Sequence, residues 1–318
     1  MLSNPFGVWL YPLDMILLFL TIIAPTFFFY KKIILTVLQL TSYKLYPSYF
    51  NYPYMKKIHS LQNTEIKNLI KIYKKKNYIN MFLVEGIKEF EMAIEGNFFP
   101  KKIFICEKIF HEYNMIQLFH SITCFISIKI FKKLAYRDNS GGILALFIEK
   151  SMNKLKNIKI NNHSLILILD GIEKPGNIGS MLRTADAAGI QIIILCNMKT
   201  YIYNSNIIRC SLGSVFTNNI FIEKKESILS WLQENKIKIV VTGFHKHENT
   251  MNLYQTKLNF SKLAIVFGSE NKGVSNIWFE KANKIINIPM FGNIDSLNVS
   301  NAMSVIIYEI IRQKNYFM

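Results

Sequence analysis

The chain has little cysteine: four residues in 318, Cys106, Cys124, Cys196 and Cys210. None falls in a Cys-x-x-Cys or His-paired spacing, which excludes a zinc ribbon and a thiol redox pair and leaves small buried hydrophobes in a reducing compartment. His245 and His247 are two apart with no third ligand nearby in sequence, and neither fits a hydrolytic triad, so no metal site is expected. There is no G-x-G-x-x-G, which removes the dinucleotide fingerprint. Gly171 and Gly176 have the spacing of a P-loop, but Asn177 and Ile178 stand where Lys and Ser/Thr would have to reach phosphate and magnesium. Internal repeats and low-complexity tracts are also lacking.

Acidic residues are scarce as well. Lys+Arg number 38 against 21 Asp+Glu, a formal charge of +17. Such an excess points to a polyanionic partner, because neutralising phosphates releases counterions; a Lys-, Asn- and Ile-rich bias can also reflect an AT-rich genome. With 50% hydrophobic and 19% charged residues the composition is that of a globular protein, long enough for two domains.

Residues 1–54 differ from the rest. Met15 to Tyr30 carries no charge, Lys31 and Lys32 interrupt, and Ile33 to Tyr43 is again uncharged. The first run falls short of the roughly 20 residues that span a bilayer, and Pro25 lies inside it. A secretory signal fits poorly, since Asp14 precedes the run and no Lys or Arg does. The expectation is a hydrophobic extension outside the native protein, with Met55 as the biological start; a genuine membrane anchor is the alternative.

From Met55 to about Lys150 the pattern predicts a small α/β domain. Helices are expected over Thr64–Lys76, Gly86–Glu95 and Tyr113–His120, and strands over Phe82–Val84, Lys102–Cys106, Phe125–Ile130 and Gly142–Ile148. The run Lys71, Lys74, Lys75 and Lys76 reads as a solvated face that could touch RNA. Residues 151–162, polar and basic without periodicity, read as a linker.

The remainder of the chain is organised around the stretch Ser164 to Ile190. Ser164–Leu169 is an uncharged strand of the kind buried in a parallel sheet. After Asp170 come Gly171, Pro175 and Gly176, then a helix on which Ile178, Met181, Leu182, Ala185 and Ala188 recur up to Gly189. Further strands are expected at Gln191–Leu195, Lys238–Gly243, Leu263–Phe267 and Ile285–Ile288, with helices at Ser227–Asn235 and from Ser296 or Asn298 to Gln313. Gly268, Glu270 and Gly273 come after one of these strands at its carboxyl end, where open α/β sheets bind ligands and glycine lets backbone approach closely.

Three segments carry the chemistry. Asn177, Gly179, Arg183, Thr184 and Ala185 form the first. Gly268, Glu270 and Gly273 form the second, with Asn271 in place of a glycine. The third runs Ile288-Pro289-Met290, Gly292, then Ser296-Leu297-Asn298-Val299-Ser300. In that order and spacing they resemble the three signatures of the SpoU/TrmH family of RNA 2′-O-ribose methyltransferases. Asn301 and Met303 depart from the small apolar residues usual after the third. The segment FLVEGIKEFEMAIEGN, with SGGILALF, resembles the L30e-like substrate-binding domain that precedes the catalytic domain in many members.

The resemblance implies a fold class: an α/β, parallel-sheet methyltransferase domain over 163–318, knotted as a deep trefoil, preceded by a small L30e-like α/β domain over 55–150 that binds RNA. It implies S-adenosylmethionine held by Gly268, Ile288 and Leu297, and a catalytic group of Arg183, Asn177, Glu270, Ser296 and Asn298. Arg209, Ser211, Gly213 and Ser214 resemble a family segment lying near the RNA, although a Gly/Ser turn explains each residue equally well. A cytoplasmic homodimer acting on ribosomal RNA more than tRNA is expected. The alternatives are a non-catalytic RNA-binding relative and a membrane-tethered form of the same enzyme.

Overall fold

Alternation of largely apolar strands with helices of one apolar face produces two sheets in this chain. The computed structural model describes residues 56–74, 80–136, 140–243 and 249–314. The hydrophobic runs of residues 1–54, Lys75, Lys76, His245 and His247 lie outside the described residues. Residues from Met55 onward form one compact unit.

The first sheet is built from β1 (Lys56–Ile58), β2 (Met81–Glu85), β3 (Pro100–Ile105), β4 (Thr123–Ile126) and β5 (Ile143–Ile148), in the order β1-β4-β3-β5-β2. Strands β1, β4 and β3 run parallel, while β5 is antiparallel to both β3 and β2. Three helices accompany it: α1 (Thr64–Lys74), α2 (Ile87–Glu95) and α3 (Ile128–Leu134). Two expectations are corrected here. The strand predicted over Phe125–Ile130 ends at Ile126, because α3 begins at Ile128 and the Ser127 hydroxyl caps it by accepting a hydrogen bond from Ile130 N. The Tyr113–His120 helix is a 3₁₀ segment over Tyr113–Ile122.

The second sheet has seven strands, all parallel, in the order β10-β12-β9-β11-β6-β7-β8. They are β6 (Leu165–Asp170), β7 (Ile192–Cys196), β8 (Ile220–Ile222), β9 (Lys238–Thr242), β10 (Thr250–Asn252), β11 (Leu263–Gly268) and β12 (Lys284–Asn287). Every residue of β6, β7 and β11 is buried, as their uncharged sequences require of strands covered on both faces. The helices are α4 (Pro175–Ala187), α5 (Ser205–Cys210), α6 (Lys225–Glu234), α7 (Asn276–Lys281) and α8 (Val299–Gln313). Trp231, Leu232 and Trp278 close one face over Ile166, Ile194, Val241 and Val266, and Leu155 of the segment between the sheets joins the same core. Pro175 sits in the first turn of α4, where its missing N–H costs nothing. Gly179 lets α4 lie on α5: a Cβ there would stand 2.6 Å from Cys210 Cβ and 2.7 Å from the Ile207 carbonyl oxygen. Met303 is fully buried and fills the core beneath α8, whereas Asn301 faces solvent.

Candidate active site

The loop after β11 is shaped by close backbone approach. A Cβ on Gly268 would lie 2.1 Å from Gly273 C and 2.2 Å from Val274 N, a space that no side chain can share. Ser269 and Gly273 exchange backbone hydrogen bonds of 3.0 and 2.9 Å, and Gly273 takes a φ of 67°. Asn271 is not among the positive-φ residues, so this turn does not depend on the glycine it replaces.

Asp170 anchors that loop to the sheet. It is 2% exposed at the end of β6, and one carboxylate oxygen accepts from Ser275 N at 2.9 Å and Ser275 Oγ at 2.5 Å. Its other oxygen accepts from Asn197 Nδ2 at 2.6 Å. Burial, then the Asp170 carboxylate, hold the neighbouring Cys196 thiol above its ordinary pKa, so this cysteine stays a neutral packing group.

Three residues from three separate motifs meet in one chain of hydrogen bonds. Asn177 Nδ2 donates to Glu270 Oε1. Asn298 Nδ2 donates to Asn177 Oδ1 at 3.2 Å. Asn298 Oδ1 caps α8, accepting from Ser300 N at 3.0 Å and Ser300 Oγ at 2.7 Å. One turn on, Ser304 Oγ donates to the Ser300 carbonyl at 3.0 Å and lies 3.1 Å from Thr184 Oγ1, tying α8 to α4. Since Glu270 Oε1 accepts from one end of the Asn177 amide and Asn298 donates to the other, the orientation of Asn177 is fixed from both sides.

Beside this chain a cavity of about 320 Å³ opens at the carboxyl edge of the sheet. Of the expected residues, Gly268, Glu270, Ile288, Ser296, Leu297 and Asn298 line it. Phe267, Val274, Ile286 and Ile306 make its apolar wall, and Asp295 and Glu270 bring two carboxylates against the single lining cation, Lys174. Asn177 reaches the cavity through Glu270 and Asn298. Arg183 is not on the wall; it stands exposed on α4 and pairs with no described residue.

Asp170, Ser275 and Ser304 were not expected in the site from the sequence, and Ser300 was noted only as part of the third segment. Ser304 could have been found, being six residues after the Asn298 cap and one turn beyond Ser300. Arg209, Ser211, Gly213 and Ser214 do not form an open surface: Ser211 and Ser214 are 1% and 2% exposed, because the first sheet's α2 packs over this segment. Among the described residues no cluster of metal-ligating side chains occurs.

A parallel α/β sheet with an apolar, carboxylate-bearing cavity at its carboxyl edge defines a class of enzyme that binds a small cofactor beside its reacting groups. Residues 164–308 match the SpoU rRNA Methylase family, and residues 63–145 match the MRM3-like substrate binding domain. A crystal structure of an RNA 2′-O ribose methyltransferase is 30% identical, covers 81% of this chain and 99% of its own, and superposes with a TM-score of 0.70. The 23S rRNA (guanosine-2′-O-)-methyltransferase RlmB of Haemophilus influenzae is 37% identical over 52% of this chain and 67% of its own length. Against another relative the match spans 60% of its length. The AdoMet-bound rRNA methyltransferase from Sinorhizobium meliloti shares the fold, with a TM-score of 0.72 at 23% identity over 81% of this chain and 98% of that one. The chain belongs to the SpoU family of RNA 2′-O-ribose methyltransferases.

Proposed function

We propose that this chain transfers a methyl group from S-adenosylmethionine to the 2′-hydroxyl of a ribose in ribosomal RNA. The observation that carries the proposal is the meeting of Glu270, Asn177 and Asn298 at the rim of the cavity, with an unpaired arginine on the same helix as Asn177.

The cavity suits the cofactor. Its volume lies near the lower end of the roughly 300–1,000 Å³ usual for small-molecule sites. The apolar wall fits a flat adenine, and the Glu270 and Asp295 carboxylates offset the positive charge of a sulfonium. Gly268, Ile288 and Leu297 would hold it. When bound, S-adenosylmethionine supplies an electrophilic methyl group.

The residues of the chain do the rest. An in-line displacement requires the ribose hydroxyl to be oriented and relieved of its proton. An arginine, with a pKa above about 12, is a poor base. Arg183 therefore grips the phosphate beside the target ribose and favours deprotonation through it, for which an exposed, unpaired guanidinium is well suited. Asn177, fixed by Glu270 and Asn298, orients the hydroxyl, and Ser296 completes the polar rim.

Three architectural readings accompany this one. The C-terminal segment forms a deep trefoil knot: β12 inserts between β9 and β10, and the chain then runs along the cavity before α8 returns to α4 and β11. The first sheet is an L30e-like RNA-binding domain over residues 55–150, supported by its match to a substrate-binding domain and by α1, with Lys67 and Lys71 exposed. The working form is a homodimer, for which Phe291 at 94% exposure, Ile294, Val305 and Tyr308 supply an uncovered apolar surface beside the site. Among the described residues no helix is long and apolar enough to cross a membrane. We read the enzyme as cytoplasmic, in keeping with a ribosomal RNA substrate.

The test is transfer of labelled methyl from S-adenosylmethionine to total RNA, with ribosomal and transfer RNA separated afterwards. Label recovered as 2′-O-methylribose in ribosomal RNA is the expected result. Label in tRNA would overturn the substrate assignment, and absence of both label and cofactor binding would leave only an RNA-binding relative.

A further inference from the structure

The segment that the family resemblance places near RNA packs against α2 of the first sheet in this chain. Gly213 takes a φ of 83°, and a Cβ there would stand 2.7 Å from Met92 Cβ on α2 and 3.2 Å from Glu89 Cα. Reciprocally, a Cβ on Gly96, at the end of α2, would meet the Phe216 carbonyl oxygen at 2.3 Å. Two glycines, one from the segments flanking each sheet, thus let α2 and the Arg209–Phe216 segment meet closely.

Around them the contact is aromatic. Phe82 of β2 stacks on Tyr203 at 4.4 Å and on Phe216 at 5.5 Å between ring centroids. Phe98 meets Phe216 at 5.2 Å and Tyr203 at 5.6 Å, both edge-on. All four rings are buried. At the margins Tyr201 donates its hydroxyl to Glu149, and Lys150 Nζ lies 4.4 Å over Phe98 while donating to the Gly96 carbonyl. The Arg209 guanidinium lies 4.3 Å over the Tyr136 ring, whose own backbone N donates to Glu85 Oε2 at 2.8 Å. A junction this dry and close-packed behaves as a core and holds one arrangement.

We propose that the Arg209–Phe216 segment is the dock for the first sheet, and that this docking fixes the distance from RNA held there to Arg183 and so selects the nucleotide methylated. The mechanical path is short. Arg209 and Cys210 end α5, and α5 lies on α4 at Gly179, four residues from Arg183 on the same helix. The inference rests on the methyltransferase reading above for its second half; the docking half stands by itself.

The test uses the full chain and two variants. Gly213→Val places a branched side chain at a left-handed position against Met92, and Arg209→Gln removes the stack on Tyr136 while leaving the backbone free. Wild type is expected to unfold in one thermal transition and to methylate one principal nucleotide. Gly213→Val is expected to unfold in two transitions and to lose at least tenfold of its rate at that nucleotide, with methyl appearing at neighbouring riboses. Its S-adenosylmethionine affinity should stay within twofold. Arg209→Gln, which tests the dock should the glycine variant fail to fold, should shift selectivity in the same direction by a smaller factor. A single transition with unchanged selectivity in either folded variant overturns the proposal, and split unfolding with unchanged selectivity overturns its second half. If wild type transfers no methyl to any RNA, the enzymatic reading fails, while the transitions still decide the dock.

Discussion

Two junctions in this molecule depend on glycines that allow no Cβ, and they are built from opposite materials. At the cavity, Gly268 ends β11 and Gly273 lies in the loop that follows, and the groups around them are polar: Asp170, Ser275, Glu270, Asn177 and Asn298. At the dock, Gly96 ends α2 beside the first sheet and Gly213 follows α5 beside the second, and the groups around them are Phe82, Phe98, Tyr203 and Phe216. Hydrogen bonds are directional and give the first junction its orientation. Aromatic burial is larger in energy and less directional, and gives the second its rigidity. The difference separates the residues proposed to act on the ribose from the surface proposed to choose which ribose they reach.

The comparison can be broken at either end. The largest effect is expected from Arg183→Ala: methyl transfer should fall by about 10³, the scale of losing one key electrostatic group, while cofactor affinity stays unchanged, as calorimetric titration would show. Retained activity would remove the arginine from the mechanism. Next, Gly268→Val should weaken S-adenosylmethionine binding by about 10², since it must displace the Gly273 backbone that shapes the cavity; the dock should survive, visible as a single thermal transition of the whole chain. Asp170→Asn puts an amide N–H₂ or a weaker acceptor where Ser275 N and Oγ both donate. It should cost about 1–3 kcal/mol in denaturant unfolding and loosen cofactor binding, sharpening the claim that the loop is anchored from β6.

The smallest effect is a pH dependence at the dock. Burial, then the Glu149 carboxylate, push the Tyr203 phenol from 10.0 up to about 12. The folded state therefore keeps its proton where the unfolded state gives it up. The stability this contributes is fully present below pH about 10 and is lost as pH rises to about 12. Tyr203→Phe, which cannot ionise, should flatten that part of the stability profile measured by denaturant unfolding; an unchanged slope would place the ionisation elsewhere.

Much of the catalytic sheet was legible because its strands are uncharged runs: Leu165–Asp170, Ile192–Cys196 and Leu263–Gly268 each fall within a residue or so of expectation. Glu270, Asn177 and Asn298 could be singled out because each stands in a segment that resembles one of the family's three signatures. Their convergence on one hydrogen-bonded chain needed coordinates. Strands β1, β8 and β10 were missed, each being three residues long and too short to show a period. Ser127 was read as part of a strand because its capping role depends on the helical turn after it. The dock was illegible for a different reason. Its rings come from Phe82, Phe98, Tyr203 and Phe216, spread over more than a hundred residues, and each taken alone reads as ordinary core. Gly179 shows the same limit: noticed as part of a signature, it serves in the structure as the close contact between α4 and α5.

The central claim is that the Glu270–Asn177–Asn298 chain and Arg183 act on a ribose beside a cofactor held in the adjoining cavity. The most direct measurement pairs equilibrium binding of S-adenosylmethionine with labelled-methyl transfer to ribosomal RNA, for wild type and Arg183→Ala side by side. The account predicts equal binding by the two proteins and 2′-O-methylribose formed by wild type alone. Transfer by both at the same rate, or no binding by wild type, would contradict it.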